Sequence, residues 1–145
     1  MFLDSSALAA ILTGEATANQ LLQKLAGSAG PFHYTSLTMY EAVIAIACKT
    51  SISQHGDQVP TPAPLILAVQ ADVEQVLDVI GATEVPIPLG AHHAVLAADR
   101  TYGRAVGHLA KLNFGDGFAY ASARSLDVPL LFVGNDFAWT DIKPA

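Results

Sequence analysis

Four acidic residues lie far apart in the sequence, each next to a segment that reads as a strand end or a helix start. Asp4 closes the first apolar run, Glu41 lies in a helix after the second, and Asp136 follows the last. Asp116 lies in the segment Asn113-Phe114-Gly115-Asp116. In parallel α/β sheets ligands bind at the carboxyl ends of the strands, so these side chains should meet. Carboxylates gathered there repel one another unless a cation compensates, which predicts a divalent-metal site.

Each acid also has a purely structural interpretation. Asp4 could cap the first helix, and Glu41 could be a solvated helix residue. Asp116 could be a favourable charge at a helix start, and Asp136 could only shape a turn. The four residues together favour the metal site more strongly than any one of them does alone.

The bulk composition limits the class of protein. The chain has 145 residues, 52% hydrophobic and 14% charged, which predicts a single domain over 1–145 with a substantial core. A net charge of −6 argues against coating nucleic acid by charge alone, although it does not exclude a metal-dependent nuclease. The single cysteine, Cys48, excludes an intrachain disulfide. With no convincing targeting segment and no membrane span, we expect a cytoplasmic protein.

The pattern of elements predicts the frame that positions the acids. Short apolar runs predict strands over residues 2–5, 32–35, 84–88 and 128–133, with the last in a central place and a further short strand over 141–143. Helical periodicity alternates with these runs, and residues 51–64 read as a loop. Ser5 or Ser6 is expected to cap the first helix, Ser36 the third and Asn113 the last. This alternation predicts an α/β fold with a mostly parallel sheet between two layers of helices.

The segments around the acids resemble the PIN-domain ribonucleases, specifically the VapC-like toxins of toxin–antitoxin pairs. The most specific part is Leu112-Asn113-Phe114-Gly115-Asp116-Gly117-Phe118-Ala119-Tyr120-Ala121. Supporting parts are Phe2-Leu3-Asp4-Ser5-Ser6-Ala7, the isolated Glu41, and Gly134-Asn135-Asp136-Phe137 followed by Thr140-Asp141-Ile142. Gly117 and Ser122 depart from the residues more often expected in that motif.

The resemblance implies a three-layer α/β/α PIN-like fold and a Mg²⁺- or Mn²⁺-dependent endoribonuclease that cleaves structured RNA such as tRNA or rRNA. Asp4, Glu41 and Asp116 match the family's three main acids, and Asp136 matches the fourth, so all four are expected to be catalytic and metal-binding. The resemblance also implies a cognate antitoxin and a homodimer. The chemistry agrees, because Mg²⁺ prefers oxygen ligands and activates water for attack on a phosphate.

Further residues could support this chemistry. Ser6, Asn113 and Thr140 could orient the carboxylates, although they could equally be caps and turn makers. Arg100, Arg104 and Lys111 form the densest basic group and could contact RNA phosphates, or could lie on a solvated helix face.

Two rival functions remain open on the sequence. A phosphatase of haloacid-dehalogenase type also begins with an Asp after the first strand, but Ser6 occupies the place of its second Asp. A catalytically silent PIN-like module that only binds proteins is the second rival.

Overall fold

A computed structural model describes residues 1–145 and contains one four-stranded sheet. The strands are β1 (Phe2–Leu3), β2 (Phe32–Tyr34), β3 (Ala82–Glu84) and β4 (Leu130–Leu131), and every pairing is parallel. Six α-helices connect them: α1 (Ser5–Leu12), α2 (Ala18–Ala26), α3 (Ser36–His55), α4 (Ala63–Val79), α5 (Ala91–Tyr102) and α6 (Phe114–Leu126). None of these helices combines the length and apolar character that crossing a bilayer requires.

The side chains of β1 and β4 alternate between the two faces of the sheet. Leu3 and Leu131 belong to the larger apolar cluster, with residues of α1, α2, α3 and α4. Phe2 and Leu130 belong to the smaller cluster on the other face, with residues of α6. Successive strand residues point to opposite faces, so a two-residue strand can contribute to both cores. The predicted three-layer α/β/α architecture is confirmed.

The strand order β3-β2-β1-β4 places a topological switch point at β1. The chain builds the sheet outward from β1 through β2 to β3, and then returns to add β4 on the opposite side of β1. The connections on the two sides of β1 therefore diverge and leave a crevice beyond its carboxyl end. Open α/β sheets bind their ligands at this kind of crevice. Asp4 is the first residue after β1.

The expected central position of residues 128–133 is wrong for the sheet as formed. Only Leu130 and Leu131 form β4, which lies at the edge beside β1. Leu130 is nevertheless fully buried, because its outer side is covered by the end of the chain. Its N–H donates to the Lys143 carbonyl at 2.9 Å, and its carbonyl accepts from the Ala145 N–H at 2.9 Å. The strand expected over 141–143 is thereby reduced to a single bridge at Pro144.

Other boundaries differ from expectation at helix ends. Helix α3 runs to His55, so the loop expected over 51–64 is only 56–62. Strand β3 begins at Ala82 and ends at Glu84, before the prolines. Asp4 caps α1 and Thr35 caps α3, where Ser5 or Ser6 and Ser36 were expected.

Candidate active site

Asp4 ends β1 and begins α1, so its position is fixed by both elements. Its backbone N–H donates to the Leu131 carbonyl of β4 at 3.0 Å. Its side chain is the N-cap of α1 and accepts from the Ser6 backbone N–H at 2.9 Å and also from the Ser6 hydroxyl. The Ser6 Oγ in turn accepts from the Val133 N–H at 3.0 Å. Ser6 thus ties the buried Asp4 carboxylate to the segment that follows β4.

Glu41 lies one turn into α3, and its carboxylate is seated on the start of α6. A Cβ atom added to Gly115 would overlap both carboxylate oxygens of Glu41. The glycine is therefore what allows the acid of one helix to approach the backbone of another. Sequence analysis did not single out Gly115, although a glycine directly before a helix-start Asp was a signal for close approach.

Asp116 is held by reciprocal hydrogen bonds at the start of α6. Its Oδ2 accepts from the Asn113 N–H at 2.8 Å, and its own N–H donates to Asn113 Oδ1 at 3.1 Å. This capping box satisfies two backbone donors that would otherwise lack partners. Asn113 is the N-cap, as predicted, and it orients Asp116 through the backbone and its own side chain.

Asp136 is the most exposed of the four acids. It immediately precedes a short 3-10 helix, Phe137–Trp139, and makes no hydrogen bond through its side chain. It still lies close enough to Asp4 and Asp116 for its charge to act on both carboxyls. The structure thus brings all four predicted acids to the crevice beyond β1.

The proximity of these acids changes their protonation. Burial, followed by the charges of Asp4 and Asp116, raises the pKa of Glu41 to about 7. Burial also raises the pKa of Asp116 to about 6; the Asn113 N–H opposes this shift, while the charges of Asp4 and Asp136 add to it. Burial raises the pKa of Asp4, although hydrogen bonds from Ser6 oppose the shift. Each carboxyl is less easily ionised chiefly because it is buried and, to a smaller extent, because nearby carboxylates are negative.

The donor set fits a hard dication in composition. All four side chains offer carboxylate oxygen, and their mutual repulsion would be relieved by a positive charge between them. No three of them lie close enough together to ligate one ion directly. The arrangement therefore suits an ion that keeps part of its water shell, as Mg²⁺ commonly does.

Comparisons with known proteins agree with this geometry. The family model described as PIN domain matches residues 1–143. The chain belongs to the PIN-domain family. Similar relatives include Ribonuclease VapC42 of Mycobacterium tuberculosis, 36% identical over 145 residues, which cover 100% of this chain and 98% of the relative. A VapC ribonuclease of Rhizobium meliloti is 33% identical over 141 residues, covering 97% and 98% respectively. The predicted family resemblance is confirmed.

A solved structure shares the fold at low sequence identity. VapC20 of Mycobacterium tuberculosis, described as a toxin that cleaves the sarcin–ricin loop, superposes with a TM-score of 0.62 and 12% identity. The match covers 99% of this chain and 98% of that one.

Arg100, Arg104 and Lys111, the basic residues predicted to contact RNA, differ in how they interact with the acids of this PIN domain. Arg104 lies beside the start of α6, because its N–H donates to the Leu112 carbonyl at 3.0 Å, and its charge favours ionised Asp116. It makes no salt bridge, so its guanidinium is free for a ligand; the two salt bridges present are Lys49–Glu15 and Arg124–Asp141. Arg100 and Lys111 are exposed and contact none of the four acids through a hydrogen bond or salt bridge.

Thr140 and Asp141 make their hydrogen bonds and ion pair with residues other than the four acids. The Thr140 hydroxyl donates to the Phe137 carbonyl at 2.8 Å and accepts from the Ile142 N–H at 3.2 Å, and it contacts none of the acids. Asp141 accepts from the Tyr120 hydroxyl at 2.5 Å and pairs with Arg124 at 3.3 Å. The Tyr120 hydroxyl lowers the pKa of Asp141, which stays ionised away from the metal-binding candidates.

The raised pKa of Glu41 predicts how stability depends on pH without metal. In the folded state Glu41 keeps its proton up to about pH 7, whereas in the unfolded chain it loses it near its ordinary pKa of 4.5. The free energy of unfolding in a chelator should therefore fall as pH rises through this window and level off above it. Glu41→Gln should be more stable than wild type by roughly 1–2 kcal/mol at pH 8 but not at pH 4, after discounting for partial exposure.

Urea unfolding at several pH values in chelator measures this difference. Glu84→Gln, which removes an exposed carboxylate at the end of β3, is the matched control and should show no pH-dependent gain. A Glu41→Gln effect of equal size at pH 4 and pH 8 would contradict the raised pKa of Glu41 as the cause.

If the four acids bind a divalent cation, as expected from the sequence, Gly115→Ala should lower that affinity without unfolding the PIN domain. The added methyl meets the flexible end of Glu41, so the carboxylate can move away and the fold should persist. Mn²⁺ affinity measured by calorimetry should fall on the order of tenfold, as for other residues that position ligands. Adding Glu41→Asp, which shortens the displaced side chain, should recover part of the loss. Mn²⁺ affinity equal to that of wild type in Gly115→Ala alone would show that Glu41 does not depend on its close approach to Gly115.

Proposed function

We propose that the protein is a metal-dependent endoribonuclease that acts as the toxin of a toxin–antitoxin system. The observation that carries the proposal is the convergence of Asp4, Glu41, Asp116 and Asp136 at the switch point beside β1. Relatives that are 33–36% identical over essentially their whole length are named VapC ribonucleases. We propose structured RNA, such as tRNA or rRNA, as the substrate, and the cytoplasm as the place of action.

Each residue has a defined part in the proposed mechanism. Asp4, Glu41 and Asp116 would hold Mg²⁺ or Mn²⁺ partly through the water shell of the ion, and Asp136 would hold a second ion or orient water. When bound, the ion supplies Lewis acidity that activates water and neutralises charge on the scissile phosphate. Ser6 and Asn113 keep two of the carboxylates oriented through the hydrogen bonds described above. Arg104, unpaired beside Asp116, can neutralise part of the phosphate charge.

Removing one carboxylate should abolish cleavage without unfolding the protein. Asp4→Asn and Asp116→Asn keep hydrogen-bonding side chains of nearly the same shape, so circular dichroism should be unchanged. Cleavage of purified tRNA and rRNA in Mg²⁺ should be lost in each variant, a larger effect than the roughly 10–100-fold that removing a residue behind a metal ligand costs. Chelation should stop wild-type cleavage, and added Mn²⁺ should restore it.

The matched control for this experiment is Asp72→Asn, which removes an exposed carboxylate on α4, away from the crevice. It should cleave RNA at the wild-type rate. Cleavage at the wild-type rate by the Asp4 and Asp116 variants would reject the proposed role of the acids. Undiminished cleavage by the wild-type protein in chelator would also reject it.

The rival functions have less support. The phosphatase needs a second Asp two residues after the first, but Ser6 occupies that position. The Ser6 hydroxyl is already hydrogen-bonded to the Asp4 carboxylate and the Val133 N–H. The silent binding module predicts no cleavage by wild type in the same assay. The presence of all four acids in one crevice favours the enzyme.

The proposed partners are a cognate antitoxin and a second copy of the chain. Large apolar side chains are exposed outside the crevice, among them Leu67 at 69%, Val79 at 79% and Leu109 at 67%. Exposed apolar surface favours association. Light scattering with size-exclusion chromatography should give twice the mass of one chain. The mass of a single chain across the whole concentration range would argue against the homodimer.

A further inference from the structure

We propose that Tyr40, Phe114 and Trp139 are base-stacking subsites around the acidic crevice, which select RNA whose bases are unpaired and splayed out. This inference rests on the proposed ribonuclease function and narrows its substrate class. It assigns a binding role to three side chains that belong neither to the core nor to the acid cluster.

The exposure of these rings sets them apart from the other aromatic residues. The chain has six Phe, four Tyr and one Trp. Only three of them are largely exposed: Phe114 at 67%, Tyr40 at 63% and Trp139 at 56%. The others are buried or half-buried, most of them in the two cores. The half-buried Phe118 is the exception: its ring packs against one side of Phe114, with 5.0 Å between the ring centroids. A large ring left in water forgoes the free energy of burial, which a base stacked on its open face would restore.

The positions of the rings tie them to the acids. Tyr40 directly precedes Glu41 in α3, and Phe114 is the first residue of α6, two before Asp116. Trp139 ends the 3-10 helix that starts just after Asp136. Residues three apart in such a helix eclipse one another, so Trp139 lies on the same side as Asp136. Each exposed ring therefore lies within three residues of a different acid of the crevice.

The charge of the chain explains why stacking is needed for affinity. A net charge of −6 and four clustered carboxylates leave little favourable attraction for a polyphosphate. Arg104 is the one basic residue whose charge reaches these acids. Stacking of one base on an aromatic ring contributes about 1–3 kcal/mol, so three rings could supply most of the binding free energy. Bases inside a duplex have both faces covered, so only unpaired bases can use these rings.

The experiment uses the full-length Asp116→Asn protein in Mg²⁺, so that bound RNA is not cut. The probe is a labelled single-stranded RNA of about ten nucleotides, within the usual length for such sites. Affinity is followed by fluorescence anisotropy of the label. Trp139 is the sole tryptophan, so quenching of intrinsic protein fluorescence reports stacking at that ring alone.

The expected result is a loss of affinity of about tenfold for each of Tyr40→Ala, Phe114→Ala and Trp139→Ala, which corresponds to about 1.4 kcal/mol per ring. Trp139→Phe, which keeps a stacking face, should retain most of the affinity. Ile52→Ala, which removes an apolar side chain of similar exposure (52%) from the far end of α3, should bind as the parent protein does. RNA should quench Trp139, whereas an abasic oligomer of equal length should not.

Unchanged affinity in all three alanine variants would overturn the inference and leave the rings for a protein partner. Equal affinity for the abasic oligomer, or for a fully paired duplex of the same length, would also overturn it. Cleavage by the wild-type protein is measured in parallel. Metal-dependent cleavage together with unchanged alanine variants rejects only the stacking, whereas absence of any RNA cleavage rejects the proposed function itself.

Discussion

Repulsion among carboxylates at one sheet edge is the constraint on which the rest of this structure depends. Folding must bring Asp4, Glu41 and Asp116 together although burial, with the charges of neighbouring acids, makes each of them harder to ionise. Because these three carboxylates repel one another, interactions between them cannot hold them in place. Their positions are imposed by the backbone: a strand end for Asp4, the first turn of α6 for Asp116, and a helix packed on glycine for Glu41.

The repulsion between the acids is partly offset because two of them also cap helices. Asp4 caps α1 and Asp116 completes the capping box of α6. Backbone N–H groups at a helix start favour negative charge, so they offset part of the repulsion even before a cation arrives. Glu41 has no such bond, and its pKa is raised to about 7. The structural interpretation is therefore correct for Asp4 and Asp116, and it is compatible with the metal-binding role proposed for them.

Sequence reasoning could identify the features that follow from local rules. The alternation of elements, the Asn113 cap and the four acids were accessible because helix periodicity, capping chemistry and strand-end positions are written in short segments. Features set by distant parts of the chain were not. Leu130 looked central because it is apolar, yet its burial comes from the last residues of the chain. Gly115 and the exposed state of Tyr40 depend on how α3 meets α6, which no local pattern encodes.

The parallel pairing of β1 with β4 joins the first residues of the chain to nearly the last. The Ser6 hydroxyl and the Val133 N–H, which meet beside Asp4, are 127 positions apart. During synthesis Asp4 leaves the ribosome early, while the strand and segment that complete its surroundings leave at the end. We therefore expect an unfinished nascent chain, or a product of premature termination, to lack an assembled site. A protein that attacks RNA would in this way spare the machinery that is still making it.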